Sequence, residues 1–179
     1  ISEQFPENLY AVFVAVGGGG LIAGIGAYLN KVHPNVKIIG VEAADSAGLH
    51  ASVKAGKRIK LKEVGLFADG AAAKQIGKNN YELIKNFLDD SITVDTDEIC
   101  AAVKDTFLET RTVPEPTGAL ALAGLKKYIG QKRIKNKNLI ATYCGSNLNF
   151  ESLGHIVERS KIGEKKEIIL SIAIDEKKC

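Results

Sequence analysis

Four consecutive glycines, Gly17, Gly18, Gly19 and Gly20, follow the apolar run Ala11-Val-Phe-Val-Ala-Val16 and precede the helix-like segment Leu21-Ile-Ala-Gly-Ile-Gly-Ala-Tyr-Leu29. A strand that ends in a glycine turn and opens a helix gathers unpaired backbone N–H groups at the positive end of the helix dipole. Only glycine lets an anion come close to them. The chemistry on offer is phosphate binding, and a branched residue at Gly18 would fill the anion's place and forbid a positive φ. A merely flexible βα turn is the plainer alternative, although such turns seldom need four glycines. The dinucleotide pattern G-x-G-x-x-G fails at its third position and no Gly-Lys-Ser/Thr follows, so neither that fingerprint nor a P-loop is present. Two more glycine-marked sites carry reactive or polar neighbours, Ala68-Asp-Gly70 and Cys144-Gly-Ser-Asn147.

The elements that must position these residues are apolar runs alternating with helical periodicity, the pattern of a parallel sheet covered by helices. The spacing predicts strands over 11–16, 36–43, 92–94 and 138–144, and helices over 20–32, 46–55, 79–88, 97–111, 117–129 and 150–158. His33-Pro34 should end the first helix. Asp95 with Glu98 reads as a capping box, and Pro114 and Pro116 should hold Glu115 extended. The expected fold class is α/β, an open, mainly parallel sheet covered by helices. The carboxyl ends of strands line the ligand crevice of such sheets. The tetraglycine and Cys144 should therefore face one hollow, the first holding a phosphate and the second reaching another part of the ligand.

The chain has 179 residues, 45% of them hydrophobic, enough for one domain and one core. It begins at Ile1, has no methionine and opens in mid-pattern, which reads as a piece of a longer protein. After Arg159 its character changes. Residues 160–166 are charged and linker-like, and Glu167-Ile-Ile-Leu-Ser-Ile-Ala-Ile174 reads as a new strand with no partner, so 1–160 is expected to be one domain and 161–179 a linker and the first strand of another. Cys100, Cys144 and Cys179 are odd in number and fit neither a zinc pattern nor a disulfide framework; His33, His50 and His155 are equally scattered. No metal site is expected. The net charge is +3 with four arginines and no tryptophan, which argues against nucleic-acid binding. No apolar run approaches the ~20 residues of a membrane span and no signal peptide is seen, so a cytoplasmic protein is expected.

The segments Val14-Ala-Val-Gly-Gly-Gly-Gly-Leu21, Gly65-Leu-Phe-Ala-Asp-Gly70, Glu115-Pro-Thr-Gly-Ala119 and Cys144-Gly-Ser-Asn-Leu-Asn-Phe150, in this order, resemble the biosynthetic threonine dehydratases (threonine ammonia-lyases), fold-type II pyridoxal-phosphate enzymes. The resemblance covers essentially the whole chain. It implies that Gly17, Gly18, Gly19, Gly20 and Leu21 bind the phosphate of pyridoxal 5'-phosphate through backbone N–H groups. It places Cys144 against the pyridine nitrogen, where a neutral thiol leaves the ring a weaker electron sink, suited to β-elimination. It sets Glu115 near the ring and Gly70 beside the cofactor. Read without the resemblance, Cys144 could be a buried small hydrophobe, Glu115 a loop carboxylate and Gly70 a turn glycine. Glu42 matches a strand-end glutamate that helps hold a cation in relatives such as serine racemase, but Gly48 stands where those relatives carry a second carboxylate.

The family's Schiff-base lysine belongs to a Ser-Phe-Lys-type motif that would lie upstream of Ile1. The nearest lookalike, Ser52-Val-Lys54, falls in an ordinary amphipathic helix. The resemblance thus implies the C-terminal part of a catalytic domain, inactive alone and followed from 161 by the start of a regulatory domain. The intact enzyme would deaminate L-threonine, or also serine, to a 2-oxo acid and ammonia, as a homo-oligomer with isoleucine as effector. A catabolic serine/threonine deaminase or serine racemase of the same fold is the sister reading, and an anion- or nucleotide-binding module is the non-enzyme reading.

Overall fold

Strand β1 (Leu9–Ala15) has no exposed face, and this organises the computed structural model, which describes residues 1–4, 8–168 and 170. Side chains alternate across a strand. Ala11, Phe13 and Ala15 enter one apolar cluster and Val12 and Val14 the other, so both faces need a helical layer. β2 (Lys37–Ala43) repeats the pattern, with Ile39, Val41 and Ala43 on the first side and Ile38 on the second. With β3 (Leu88–Val94) and β4 (Asn138–Ala141) these strands form a parallel sheet in the order β3-β2-β1-β4. Helices α1 (Gly20–Val32), α2 (Gly48–Ala55) and α3 (Lys78–Ile84) cover the Val12 face. Helices α4 (Thr96–Thr110), α5 (Pro116–Lys132) and α6 (Ser152–Gly163) cover the Phe13 face. The architecture is the expected helix-covered parallel α/β sheet.

The local signals place several boundaries. Asp95 and Glu98 form the capping box of α4, with the Glu98 N–H donating to Asp95 Oδ1 (2.8 Å) and the Asp95 N–H to Glu98 Oε2 (2.9 Å). Pro116 occupies the first turn of α5 and Glu115, extended at φ −67° and ψ 161°, is its N-cap residue.

Several element boundaries differ from expectation. β3 starts at Leu88 rather than Ile92, and α3 stops at Ile84. Asp89 and Asp90 are charged, but β3 is an edge strand where charge is tolerated, and Asp89 Oδ2 accepts the Ile38 N–H at 2.8 Å. β4 ends at Ala141, with one further ladder bond from the Thr142 N–H to the Phe13 carbonyl. Residues 160–163 continue α6 instead of forming a linker, because the charges that flank them, Arg159 and Glu164, find partners on α4. Arg159 pairs with Asp97 at 2.6 Å and Lys104 with Glu164 at 2.8 Å, while Gly163 packs directly on the Asp97 carbonyl. The strand expected over 167–174 lies outside the described residues, apart from 167, 168 and 170, as does Cys179. Among the described residues, no helix is long and apolar enough to cross a membrane.

α5 lies across the sheet at glycine contact distance, since a Cβ at Gly124 would stand 2.5 Å from both Val41 methyls and 3.1 Å from Ile92. Gly130 in the same helix faces open space. Alanine gains about 1 kcal/mol of helix propensity at either position, whereas overpacking costs about 1–3 kcal/mol. Gly130→Ala should therefore stabilise the protein by up to about 1 kcal/mol and Gly124→Ala destabilise it, as read from urea unfolding midpoints.

Candidate functional site

β2 and β3 lie on one side of β1 and β4 on the other, so the chain leaves the carboxyl ends of β1 and β4 in diverging directions and a crevice opens between them. There a hollow of about 220 Å³ is lined by Gly17, Gly18, Gly19, Gly20, Leu21, the turn carrying Gly70 and Ala71, Thr117 and Cys144. A larger hollow of about 690 Å³ sits around His33, Pro34 and Lys137, but it holds none of the candidate cofactor-binding residues.

Each wall has a physical cause. Val16 is the last residue tied to the sheet, through its N–H to the Val41 carbonyl. Gly17 then passes so close to the next wall that a Cβ would stand 2.9 Å from Ala71 Cα. Gly19, not Gly18, takes the left-handed conformation (φ 86°), as N-cap of α1, and a Cβ there would lie 2.8 Å from Ile76 Cδ1. The expected positive φ at Gly18 is corrected accordingly. Cβ atoms at Gly18 and Gly20 would meet nothing within 4 Å. Space therefore stands open beside these two glycines, at the N-terminus of a thirteen-residue helix, where N–H groups and dipole favour an anion.

The opposite wall comes from α5 and the loop after β4. Gly118 leaves room for the Cys144 carbonyl, and Gly145, at φ 83°, for the Glu115 carboxylate; a Cβ at either would overlap that neighbour. The Glu115 N–H also donates to the Gly145 carbonyl (3.3 Å). Glu115 thus braces the Cys144 loop and does not itself line the hollow. Burial first, and the Glu115 charge second, push the Cys144 thiol above its ordinary pKa. It is a neutral group at neutral pH. Thr117, one residue inside α5, is among the residues that line the hollow, and its Oγ1 is buried with no partner among the described residues. Such an atom wants a hydrogen-bonding ligand, and its place in the Glu115-Pro-Thr-Gly segment was the signal for it. The N–H array, the open volume and this orphaned hydroxyl fit a phosphorylated aromatic cofactor.

Glu42 has a different employment. It is 1% exposed, and its two oxygens accept the N–H groups of Leu49 and His50 at 2.7 Å each, capping α2 from the end of β2. Lys54 of the lookalike motif is exposed on α2, while Ser52 is buried and accepts the Ile59 N–H.

Comparison with known proteins agrees with this geometry. A family model described as pyridoxal-phosphate dependent enzyme matches residues 1–145. A biosynthetic L-threonine dehydratase IlvA of Burkholderia multivorans is 47% identical over 99% of this chain and 35% of its own length. A mitochondrial threonine dehydratase of Schizosaccharomyces pombe is 49% identical over 96% of this chain and 29% of its own. The chain thus spans about a third of the length of these curated relatives. The processed form of threonine deaminase isoform 2 from Solanum lycopersicum superposes with a TM-score of 0.87 at 38% identity, over 89% of this chain and 46% of that one.

Burial raises the Glu42 pKa from 4.5 to about 7 against the pull of the backbone N–H donors. With a folded-state pKa above the unfolded one, the folded state holds the extra proton between those values. The contribution to stability is complete below about pH 4.5 and is lost as pH rises through 7. Thermal melts from pH 5 to 8 should show Tm falling with pH, and Glu42→Gln should remove most of that slope.

Proposed function

Because the chain belongs to the pyridoxal-phosphate dependent enzymes, we propose that it is the C-terminal part of the catalytic domain of a threonine ammonia-lyase, which converts L-threonine to 2-oxobutanoate and ammonia at the start of isoleucine synthesis. The observation that carries the reading is the convergence of the tetraglycine, the orphaned Thr117 hydroxyl and the neutral Cys144 on one hollow at the carboxyl ends of β1 and β4. Relatives named biosynthetic threonine dehydratases that align past Arg159 support this reading over a catabolic deaminase or serine racemase.

In this reading the backbone N–H groups of Gly17, Gly18, Gly19, Gly20 and Leu21 hold the phosphate of pyridoxal 5'-phosphate, aided by the α1 dipole. Thr117 Oγ1 supplies a further hydrogen bond. Gly70 keeps its turn free of a side chain, since a Cβ there would stand 3.1 Å from Thr117 Oγ1. Cys144 meets the ring nitrogen with a neutral thiol, and Glu115 acts from behind it as a brace. When bound, the cofactor withdraws electrons from the amino acid's Cα so that the α-proton and then the β-hydroxyl can leave. The lysine that would carry the cofactor belongs to the upstream part of the enzyme, so this piece alone is expected to be inactive. The organisation proposed is a catalytic domain that closes with α6, at Gly163, and after it the start of a regulatory domain that binds isoleucine. The intact enzyme is a homo-oligomer acting on threonine and serine in the cytoplasm.

In the full-length enzyme, Cys144→Ser should keep most threonine turnover, because the hydroxyl is also neutral. Cys144→Asp should lose at least about tenfold in kcat, because the negative charge of a carboxylate there would keep the ring nitrogen protonated and redirect the electron pair. Assays of 2-oxobutanoate formation decide it, and equal rates for parent and aspartate variant would overturn the role given to Cys144. Isoleucine should inhibit the full-length enzyme and leave a version ending at Glu164, just after α6, unaffected, a coupling of ~1–3 kcal/mol. Equal responses of the two would remove the regulatory part of the proposal.

A further inference from the structure

A run of four glycines can rotate its peptide units at little cost. An anion needs them set with N–H groups toward it, and a carbonyl turned the same way would repel it. Something must therefore hold the tetraglycine in the binding orientation before the anion arrives. The Gly18 carbonyl, alone among the carbonyls of Gly17, Gly18 and Gly19, accepts two hydrogen bonds from a distant part of the chain, the Gly77 N–H at 3.1 Å and the Asn80 side-chain Nδ2 at 2.8 Å. In a planar trans peptide the C=O and the following N–H point in opposite directions. A Gly18 carbonyl pinned to α3 thus turns the Gly19 N–H away from α3, whose layer covers the sheet face opposite that of α5, the helix that carries Thr117.

The packing around this pin has no slack. A Cβ at Gly19 would lie 3.2 Å from Asn80 Cβ and 2.8 Å from Ile76, and a Cβ at Gly77 would lie 2.9 Å from Asn80 Nδ2 and 3.3 Å from the Gly18 carbonyl. The segment that delivers Gly77 is itself tied down. The Leu61 N–H donates to the Lys74 carbonyl at 2.8 Å and Arg58 Nε to the Ile76 carbonyl at 3.0 Å. α3 in turn packs on α1, the helix that the tetraglycine opens.

We propose that Asn80 is a positioning residue for the phosphate cradle: its side-chain amide fixes the Gly18–Gly19 peptide so that the Gly19 N–H is set toward an anion in the empty protein. The proposal rests on the reading that the hollow takes the cofactor's phosphate. Asn80 touches no ligand and acts only through the Gly18 carbonyl. Its contribution is preorganisation, a donor already aimed where negative charge will sit.

The test uses the full-length protein freed of cofactor, with Asn80→Leu, of similar size but no donor, and Asn80→Asp, of the same shape but presenting oxygens to the Gly18 carbonyl. Titrations measure the affinity for pyridoxal 5'-phosphate and for pyridoxal, which lacks the phosphate; inorganic phosphate is titrated as competitor, and the Tm of each empty protein is recorded. The expected result is that Asn80→Leu loses about tenfold in affinity for pyridoxal 5'-phosphate, the worth of one hydrogen bond. Pyridoxal affinity stays as in the parent, so the ratio of the two falls by the same factor, and phosphate competes correspondingly less well. Asn80→Asp falls further in the same ratio and carries the test if the leucine variant does not fold. A general loss of structure would lower Tm and weaken both ligands together, and that outcome, or an unchanged ratio, overturns the inference. If the parent protein itself does not distinguish pyridoxal 5'-phosphate from pyridoxal, the cofactor reading fails, and the role of Asn80 with it.

Discussion

Burial of β1 on both faces, with hydrogen-bonded neighbours on both edges, is the constraint from which the site follows. Phe13, Val12 and Val14 are fully buried, so the strand has one position and one exit. The glycines that follow are delivered to a fixed point at the sheet's carboxyl end. The strand order then decides what stands opposite, because placing β4 beside β1 brings the Cys144 loop to the same rim although more than 120 residues separate the two in sequence.

The walls of the hollow are held by glycines used in two ways. Gly17, Gly118 and Gly124 are places where backbone or helix meets a neighbour without room for a methyl group. Gly18 and Gly20 border empty space, which a ligand can occupy. The first kind sets the distance between walls and the second leaves the volume between them. Charge is kept out of the hollow as well, since the Cys144 thiol stays protonated and the Glu115 carboxylate lies behind Gly145. The polar character left to the hollow is that of N–H donors, one thiol and one hydroxyl.

What was legible in the sequence was whatever is decided locally. The all-apolar β1, the Asp95–Glu98 capping box, the extended Glu115 between two prolines and the glycine turn each announce themselves within a few residues. What was not legible depends on partners far along the chain. The start of β3 is polar and becomes a strand because it is an edge. The charges from Arg159 onward look solvated, yet Arg159 and Glu164 tie the end of α6 to α4. Glu42 matches a cation-holding glutamate of relatives without its second carboxylate, and its oxygens are taken by the N-terminus of α2. Asn80 gives no signal at all, because it acts on a carbonyl 62 residues away.

The β1–β4 ladder also has a consequence in time. It joins Leu9 to Asn138, so about 130 residues must leave the ribosome between one strand and its partner. At roughly 5–20 residues per second the nascent chain waits about 6–26 seconds for closure, against microseconds for a hairpin. Throughout that interval the β4 side of an apolar strand offers unpaired backbone groups to any other extended chain nearby. Synthesis, rather than the finished fold, is the stage at which this protein is most open to pairing with the wrong strand.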